Sequence, residues 1–227
     1  PFKGRKRDNL RLVAVMNPIN ALQFFVDAKT GAKSIQDIKD KKIPLRITVN
    51  RQGTLIDVAT EELLKTYGIT YSDIAKWGGK VYKIPGPEAT DLWDAGQMDA
   101  IVEVSQFPTS RFYELGQKHD LIMLPIDPAN QEKLNKELGT SSLTIPAGTY
   151  SFQKEDCPTV SSQLLLITSA DQPDEVITGV LKAMTANIDY LHSVHANLRD
   201  LSPETMSANT SIPMHPAAEK FFRELKK

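Results

Sequence analysis

The sequence predicts a mixed α/β fold in which helices cover strands paired in parallel. Strand-like and helix-like segments alternate along the whole chain, as they do when crossover helices join parallel strands. The stretch 45–67 compresses a strand, a four-residue turn and an amphipathic helix into one unit. The stretch 88–115 repeats the same logic as helix, strand and helix.

In chain order, 10–15 and 21–26 are two apolar runs of strand length. Ser34, followed three residues later by Asp37, has the form of a capping box and opens a short helix that Pro44 closes. Leu45, Ile47 and Val49 then alternate with Arg46 and Thr48, the period of a strand. After the turn Asn50, Arg51, Gln52, Gly53, the helix over 54–67 places Leu55, Ile56, Ala59, Leu63, Leu64 and Tyr67 on an apolar stripe. The same spacing turns Asp57, Thr60, Glu61 and Lys65 outward, with Thr54 as N-cap and Gly68 as C-cap.

Beyond it, 88–93 reads as a short helix ending at Gly96, 98–104 as a strand, 108–115 as a helix with Pro108 in its first turn, and 121–126 as a strand. A polar helix over 128–138 is followed by an ordered loop over 140–158, rich in Ser, Thr, Gly and Pro, and an apolar strand over 160–168. The longest helix spans 173–195, with Val176, Val180, Met184, Ile188 and Leu191 on one face. A loop through Pro213 and Pro216 leads to a last helix over 217–225.

Composition narrows the function classes. The 227 residues, 41% hydrophobic and 24% charged, are enough for one large domain or two small lobes. Lys and Arg total 27 against 28 for Asp and Glu, and no basic stripe recurs along a helix, which excludes nucleic acid as a main partner. No apolar run approaches the roughly 20 residues that cross a bilayer, so the chain is not expected to span a membrane. The single cysteine, Cys157, cannot form an internal disulfide or a multi-thiolate metal site. The cluster Lys3, Arg5, Lys6, Arg7 precedes an apolar stretch interrupted by Arg11, which is not the pattern of a secretory signal.

The strongest candidate for binding chemistry is the turn Asn50, Arg51, Gln52, Gly53 with Thr54. Unpaired N–H groups and the positive end of a helix dipole meet there, a natural seat for a carboxylate or phosphate. Gly53 allows close approach, Thr54 carries a hydroxyl, and Arg51 can pair bidentately with a carboxylate or turn outward to solvent. The second Gly and the Lys of a phosphate loop are absent. Ser105, Gln106 and Pro108 lie beyond the next strand and form the second candidate segment. For nucleophilic catalysis, Cys157 with His119, His192, His195 or His215 is the obvious set of parts, and none of them sits in a recognisable signature. No catalytic residue, metal site or cofactor is expected.

Several segments together resemble the TAXI family, the solute-binding receptors of one branch of the tripartite ATP-independent periplasmic (TRAP) transporters. They are Asn9-Leu10-Arg11, Ser34-Ile35-Gln36-Asp37-Ile38-Lys39, Gly53-Thr54, Asp94-Ala95-Gly96-Gln97-Met98-Asp99-Ala100, Ile145-Pro146-Ala147-Gly148-Thr149-Tyr150 and Pro213-Met214-His215-Pro216-Ala217-Ala218 followed by Phe221-Phe222-Arg223-Glu224. The resemblance implies a type II periplasmic-binding fold, two α/β lobes with a ligand cleft between them. It places 1–27 in an incomplete first lobe, 28–125 in the second lobe, and 126–227 in the remainder of the first lobe and the crossing segments. It further implies a periplasmic or extracytoplasmic receptor that captures a small organic anion or amino acid, dicarboxylate or glutamate-like, and delivers it to the membrane permease subunits.

Two departures accompany the resemblance. Arg51-Gln52-Gly53-Thr54 stands where the family has Gly-Ser-Gly-Thr, which adds charge and bulk and favours an anionic ligand. The N-terminal stretch that completes the family's first lobe is not in this sequence. The alternative readings are a ligand-sensing domain of the same fold and an enzyme built on it.

Overall fold

The computed structural model describes residues 7–208 and 212–225. Lys3, Arg5 and Lys6 of the basic cluster lie outside them. The elements, in order, are β1 (Leu10–Asp27), α1 (Ile35–Asp40), β2 (Arg46–Thr48), α2 (Leu55–Thr66), α3 (Tyr71–Lys76), β3 (Lys80–Tyr82), α4 (Gly86–Asp94), β4 (Ala100–Ser105), α5 (Ser110–Lys118) and β5 (Leu121–Met123). There follow α6 (Pro128–Leu138), β6 (Ser141–Ile145), β7 (Cys157–Ser169), α7 (Asp174–Ala186), α8 (Ile188–Val194), α9 (Pro203–Met206) and α10 (Pro216–Leu225). The predicted mixed α/β class is the one observed.

Two compact units make up the chain, Asn20–Ser162 and Pro1–Ile19 with Gln163–Lys227. Pairing holds the longer unit together. Residues 21–27 of β1 are held by β4 and β5, and β6 pairs with β7 through Ser141↔Ser161 to Ile145↔Cys157, so all these segments belong to the longer unit.

In the longer unit β2 runs parallel to both β3 and β4, while β1 runs antiparallel to β4. The strand period sorts β1 between two cores. Leu22, Phe24 and Val26 face one core with Ile47, Ala59, Leu63 and Val102. Ala21 and Phe25 face the other with Trp93, Phe112 and Tyr150. Helices thus cover both faces of the sheet, as parallel pairing requires. The helix starts are local chemistry. Ser34, Thr54 and Thr70 each accept the N–H of the residue three positions on, and Thr70 with Asp73 completes a capping box.

The shorter unit packs Val13 and Ala14 of β1 against Ile177 and Leu181 of α7 and Ala217, Ala218 and Phe222 of α10. His215 caps α10 by accepting the Ala217 N–H at 3.2 Å and binds Leu12 O through its own N–H at 2.8 Å.

Four local expectations are corrected. The runs 10–15 and 21–26 are one strand, because the Asn17 side chain takes the Ile19 N–H at 2.9 Å and the chain stays extended past Pro18. The predicted loop over 140–158 contains β6, which exists because β7 supplies its partner. The helix over 173–195 breaks at Asn187, whose φ of −121° leaves the helical range. Its buried positions are Ile177 and Leu181, one step from the predicted face, so Val176 and Val180 are exposed.

Candidate ligand-binding site

Because β2, β3 and β4 are parallel, their carboxyl ends share one edge, and the turns to α2, α4 and α5 leave from it. Open α/β sheets place ligands at this edge because crossover turns and helix N-termini converge there.

The first turn holds five of the predicted residues. Asn50 has a φ of 63°, and its Oδ1 accepts the Arg51 N–H at 2.6 Å. Gly53 has a φ of 77°, and a Cβ added there would meet nothing within 4 Å, so backbone conformation rather than crowding calls for glycine. Arg51, Gln52 and Gly53 are exposed, while Asn50 and Thr54 are half-buried. The Thr54 hydroxyl donates to Arg51 O at 2.8 Å and accepts the Asp57 N–H at 3.4 Å, so its proton is already engaged inside the turn.

Sequence reasoning turned Asp57 outward; the structure buries it to 5% exposure. Its Oδ2 accepts the Gly53 N–H at 2.9 Å, and its Oδ1 meets the Lys83 ammonium and the Tyr71 hydroxyl, the latter at 3.2 Å. Burial alone would raise its pKa, but Lys83 and the Gly53 N–H together hold it below the usual carboxylate value. An internal carboxylate therefore neutralises part of the positive helix end. Among the described residues the N–H groups of Leu55 and Ile56 meet no protein acceptor and are the donors left for a ligand. The spacing Thr54-x-x-Asp57, read as a capping box, was the available signal for Asp57.

The second segment is anchored from behind. Ser105 Oγ accepts from Gln23 Nε2 at 3.3 Å, Gln23 Oε1 accepts from the Tyr150 hydroxyl at 2.6 Å, and that oxygen accepts the Thr109 N–H at 3.2 Å. Gln23 and Tyr150 are fully buried, so this chain of bonds fixes the carboxyl end of β4. Gln106 is half-buried and Pro108 exposed, with a cis Phe107–Pro108 bond. Pro108 precedes the helix instead of entering its first turn, since α5 begins at Ser110.

Both segments thus follow neighbouring parallel strands, paired through Ile47↔Ala100 and Thr48↔Ile101, and stand on one edge. The third turn joins them through the Thr48 hydroxyl, which donates to Ile84 O at 3.0 Å. Arg111, which no motif pointed to, pairs with Glu103 and lies so close to Gly86 that an added Cβ would sit 1.5 Å from its Nη1.

The parts considered for nucleophilic chemistry are dispersed. Cys157 is buried, and desolvation pushes its thiol up to about 12, which disfavours the thiolate. His119 binds Asp94 at 2.8 Å, His192 binds Leu201 O at 2.7 Å, and His195 accepts the Asn197 N–H at 3.0 Å. Among the described residues no group of three or more His, Cys, Asp or Glu is arranged to hold a metal.

What fold and edge define is an α/β protein whose candidate site lies at the carboxyl ends of β2, β3 and β4. The chain belongs to the NMT1-like family, whose profile matches residues 1–225. Similar solved structures include the periplasmic sulfonate-binding protein SsuA of a putative sulfonate ABC transporter from Methylobacillus flagellatus KT, at 12% identity and a TM-score of 0.45, covering 88% of this chain and 48% of that one. The alkanesulfonate-binding protein SsuA from Xanthomonas axonopodis pv. citri, bound to MOPS, matches at 13% identity and a TM-score of 0.44, covering 95% and 59%. A TctC solute-binding protein from Polaromonas matches at 16% identity and a TM-score of 0.40, covering 98% and 71%. The chain thus spans about half the length of the first two.

Proposed function

We propose that this protein is an extracytoplasmic solute-binding receptor of a TRAP-type secondary transporter. It captures a small organic anion or amino acid and delivers it to membrane permease subunits. The observation that carries this reading is the start of α2, where two open N–H groups, a positive helix end and the exposed Arg51 meet at the carboxyl edge of a parallel sheet. Asn50, Arg51, Gln52, Gly53 and Thr54 supply one side of the site, and Ser105, Gln106 and Pro108 supply the neighbouring one. The type II periplasmic-binding arrangement and the TAXI assignment rest on the resemblance carried by the motifs at 34–39, 94–100, 145–150 and 213–224. No described helix is long and apolar enough to cross a membrane.

A thermal-shift screen of the full-length protein against amino acids, dicarboxylates, 2-oxo acids and sugars tests this reading. A ligand that binds only the folded state raises the melting temperature by mass action. A shift confined to small acids is expected; a shift with sugars alone defeats the anion reading. Arg51→Ala should then weaken binding of the acid by about 1.5–3 kcal/mol, the scale of a lost charged hydrogen bond. Isothermal titration that finds unchanged affinity would place Arg51 outside the site.

A further inference from the structure

The shorter unit carries eight of the ten large apolar side chains that are exposed among the described residues. On α7 two of them form a pattern. The helix buries Ile177 and Leu181 in one cluster with Val13, Ala14 and Phe222. Its outer side carries Val176 and Val180, 41% and 39% exposed, and one turn further the exposed Ala183. Steps of four and three residues put all three on one face, the spacing by which one helix packs against another. Gly179 stands beside them, and a Cβ added there would meet nothing within 4 Å, so a second backbone can come close.

Opposite charges border that face. Glu175 and Lys182 lie on its side towards α10, where both line a groove with Phe221. About 10 Å of helix separates them, and neither makes an ion pair among the described residues. The pattern is self-complementary. The midpoint of Val176 and Val180 and that of Glu175 and Lys182 fall on the same turn, around Thr178 and Gly179. A two-fold axis through that turn lays Val176 of one copy on Val180 of the other and brings each Glu175 to the opposite Lys182. A parallel arrangement would instead set Glu175 against Glu175 and Lys182 against Lys182, with the helix dipoles side by side in the same sense. An unrelated partner would have to supply acid, base and apolar positions in matching order; a second copy supplies them by symmetry.

We infer that the outer face of α7 is a homodimer interface, in which two copies of this chain pair antiparallel about Thr178 and Gly179. The inference goes beyond the receptor reading and does not depend on it, since it uses no residue of the candidate ligand site. One helix against another buries less than the roughly 1,200 Å² at which standard interfaces begin, so the dimer is reversible and its fraction rises with protein concentration. The valines supply most of the affinity, and the crossed charges set the orientation.

Sedimentation equilibrium of the full-length protein, from low micromolar to several hundred micromolar, reads the inference directly. Monomer and dimer should exchange across that range. Val180→Glu should leave only monomer, and circular dichroism checks that the variant folds; should it not, the charge series carries the test. Glu175→Lys should weaken the dimer at least tenfold by setting lysine against lysine, and adding Lys182→Glu to it should restore the dimer to within about threefold of the wild type. A wild type that stays monomeric throughout, whether or not another segment of the polypeptide covers α7, overturns the inference. So does a dimer that survives Val180→Glu in a folded protein, which would place the contact elsewhere, or a double reversal as weak as the single one, which would rule out the antiparallel pairing.

Discussion

Phe25→Ala should lower the stability of the fold by about 3–5 kcal/mol, the range for removing a large aromatic side chain from a packed core. Phe25 is fully buried, its ring centroid lies 4.1 Å from that of Phe112 and 5.6 Å from that of Tyr150, and the latter contact is edge-on. Neighbouring side chains on α5 and the 145–157 segment are held by the backbone and cannot collapse fully into the space, so a cavity term adds to the lost burial. The effect should reach the site as well. Tyr150, which packs on Phe25, carries the hydroxyl that links Thr109 to Gln23 and through it to Ser105. Urea denaturation should show a lower midpoint with an unchanged slope. A loss below about 1 kcal/mol would mean that the core around Phe25 is looser than its contacts indicate.

The second large effect belongs to Asp57→Asn, expected to cost about 1–3 kcal/mol because Lys83 and the Gly53 N–H lose a charged acceptor at a buried position. It carries a pH signature. Asp57 is held below its unfolded value of about 3.9, so its contribution is complete above that pH and disappears as pH falls through the lower folded value. Asp99, which burial would raise but the Arg46 fork at 2.6 and 2.7 Å pulls down, adds a loss of the same sign. The wild-type protein should therefore lose stability below about pH 4, and the gap between wild type and Asp57→Asn should shrink over that range. Denaturation midpoints measured between pH 3 and 7 read this out. A gap that stays constant with pH would show that the substitution acts through packing and not through the carboxylate. Ligand affinity should fall too, since the turn carrying Arg51 is tied down through Gly53.

Much of the architecture was readable locally. Ser34 and Thr54 cap their helices as their spacing indicated, because an N-cap needs only an oxygen and an N–H three residues apart. The alternation of Leu45, Ile47 and Val49 placed β2 and the turn after it correctly in kind. Where periodicity failed, burial was decided by partners distant in sequence. Asp57 and Thr60 look like outward residues of α2, yet Lys83 and Tyr71 enclose one and the helix's own Ile56 O accepts the hydroxyl of the other at 2.6 Å. The apolar face of α7 was off by one step because Val176 and Val180 are as apolar as the Ile177 and Leu181 that α10 and β1 cover.

By itself, then, the sequence determined the α/β class, the starts of α1 and α2 and the turn 50–54 as a candidate seat for an anion, since each depends on residues within one turn or one strand of each other. Tertiary structure alone decided that Asp57 already occupies part of that turn. It also decided that 10–27 is a single strand. Each of these depends on pairing between segments far apart in the chain, and hydrogen bonds and packing across such distances leave no trace in local periodicity or capping.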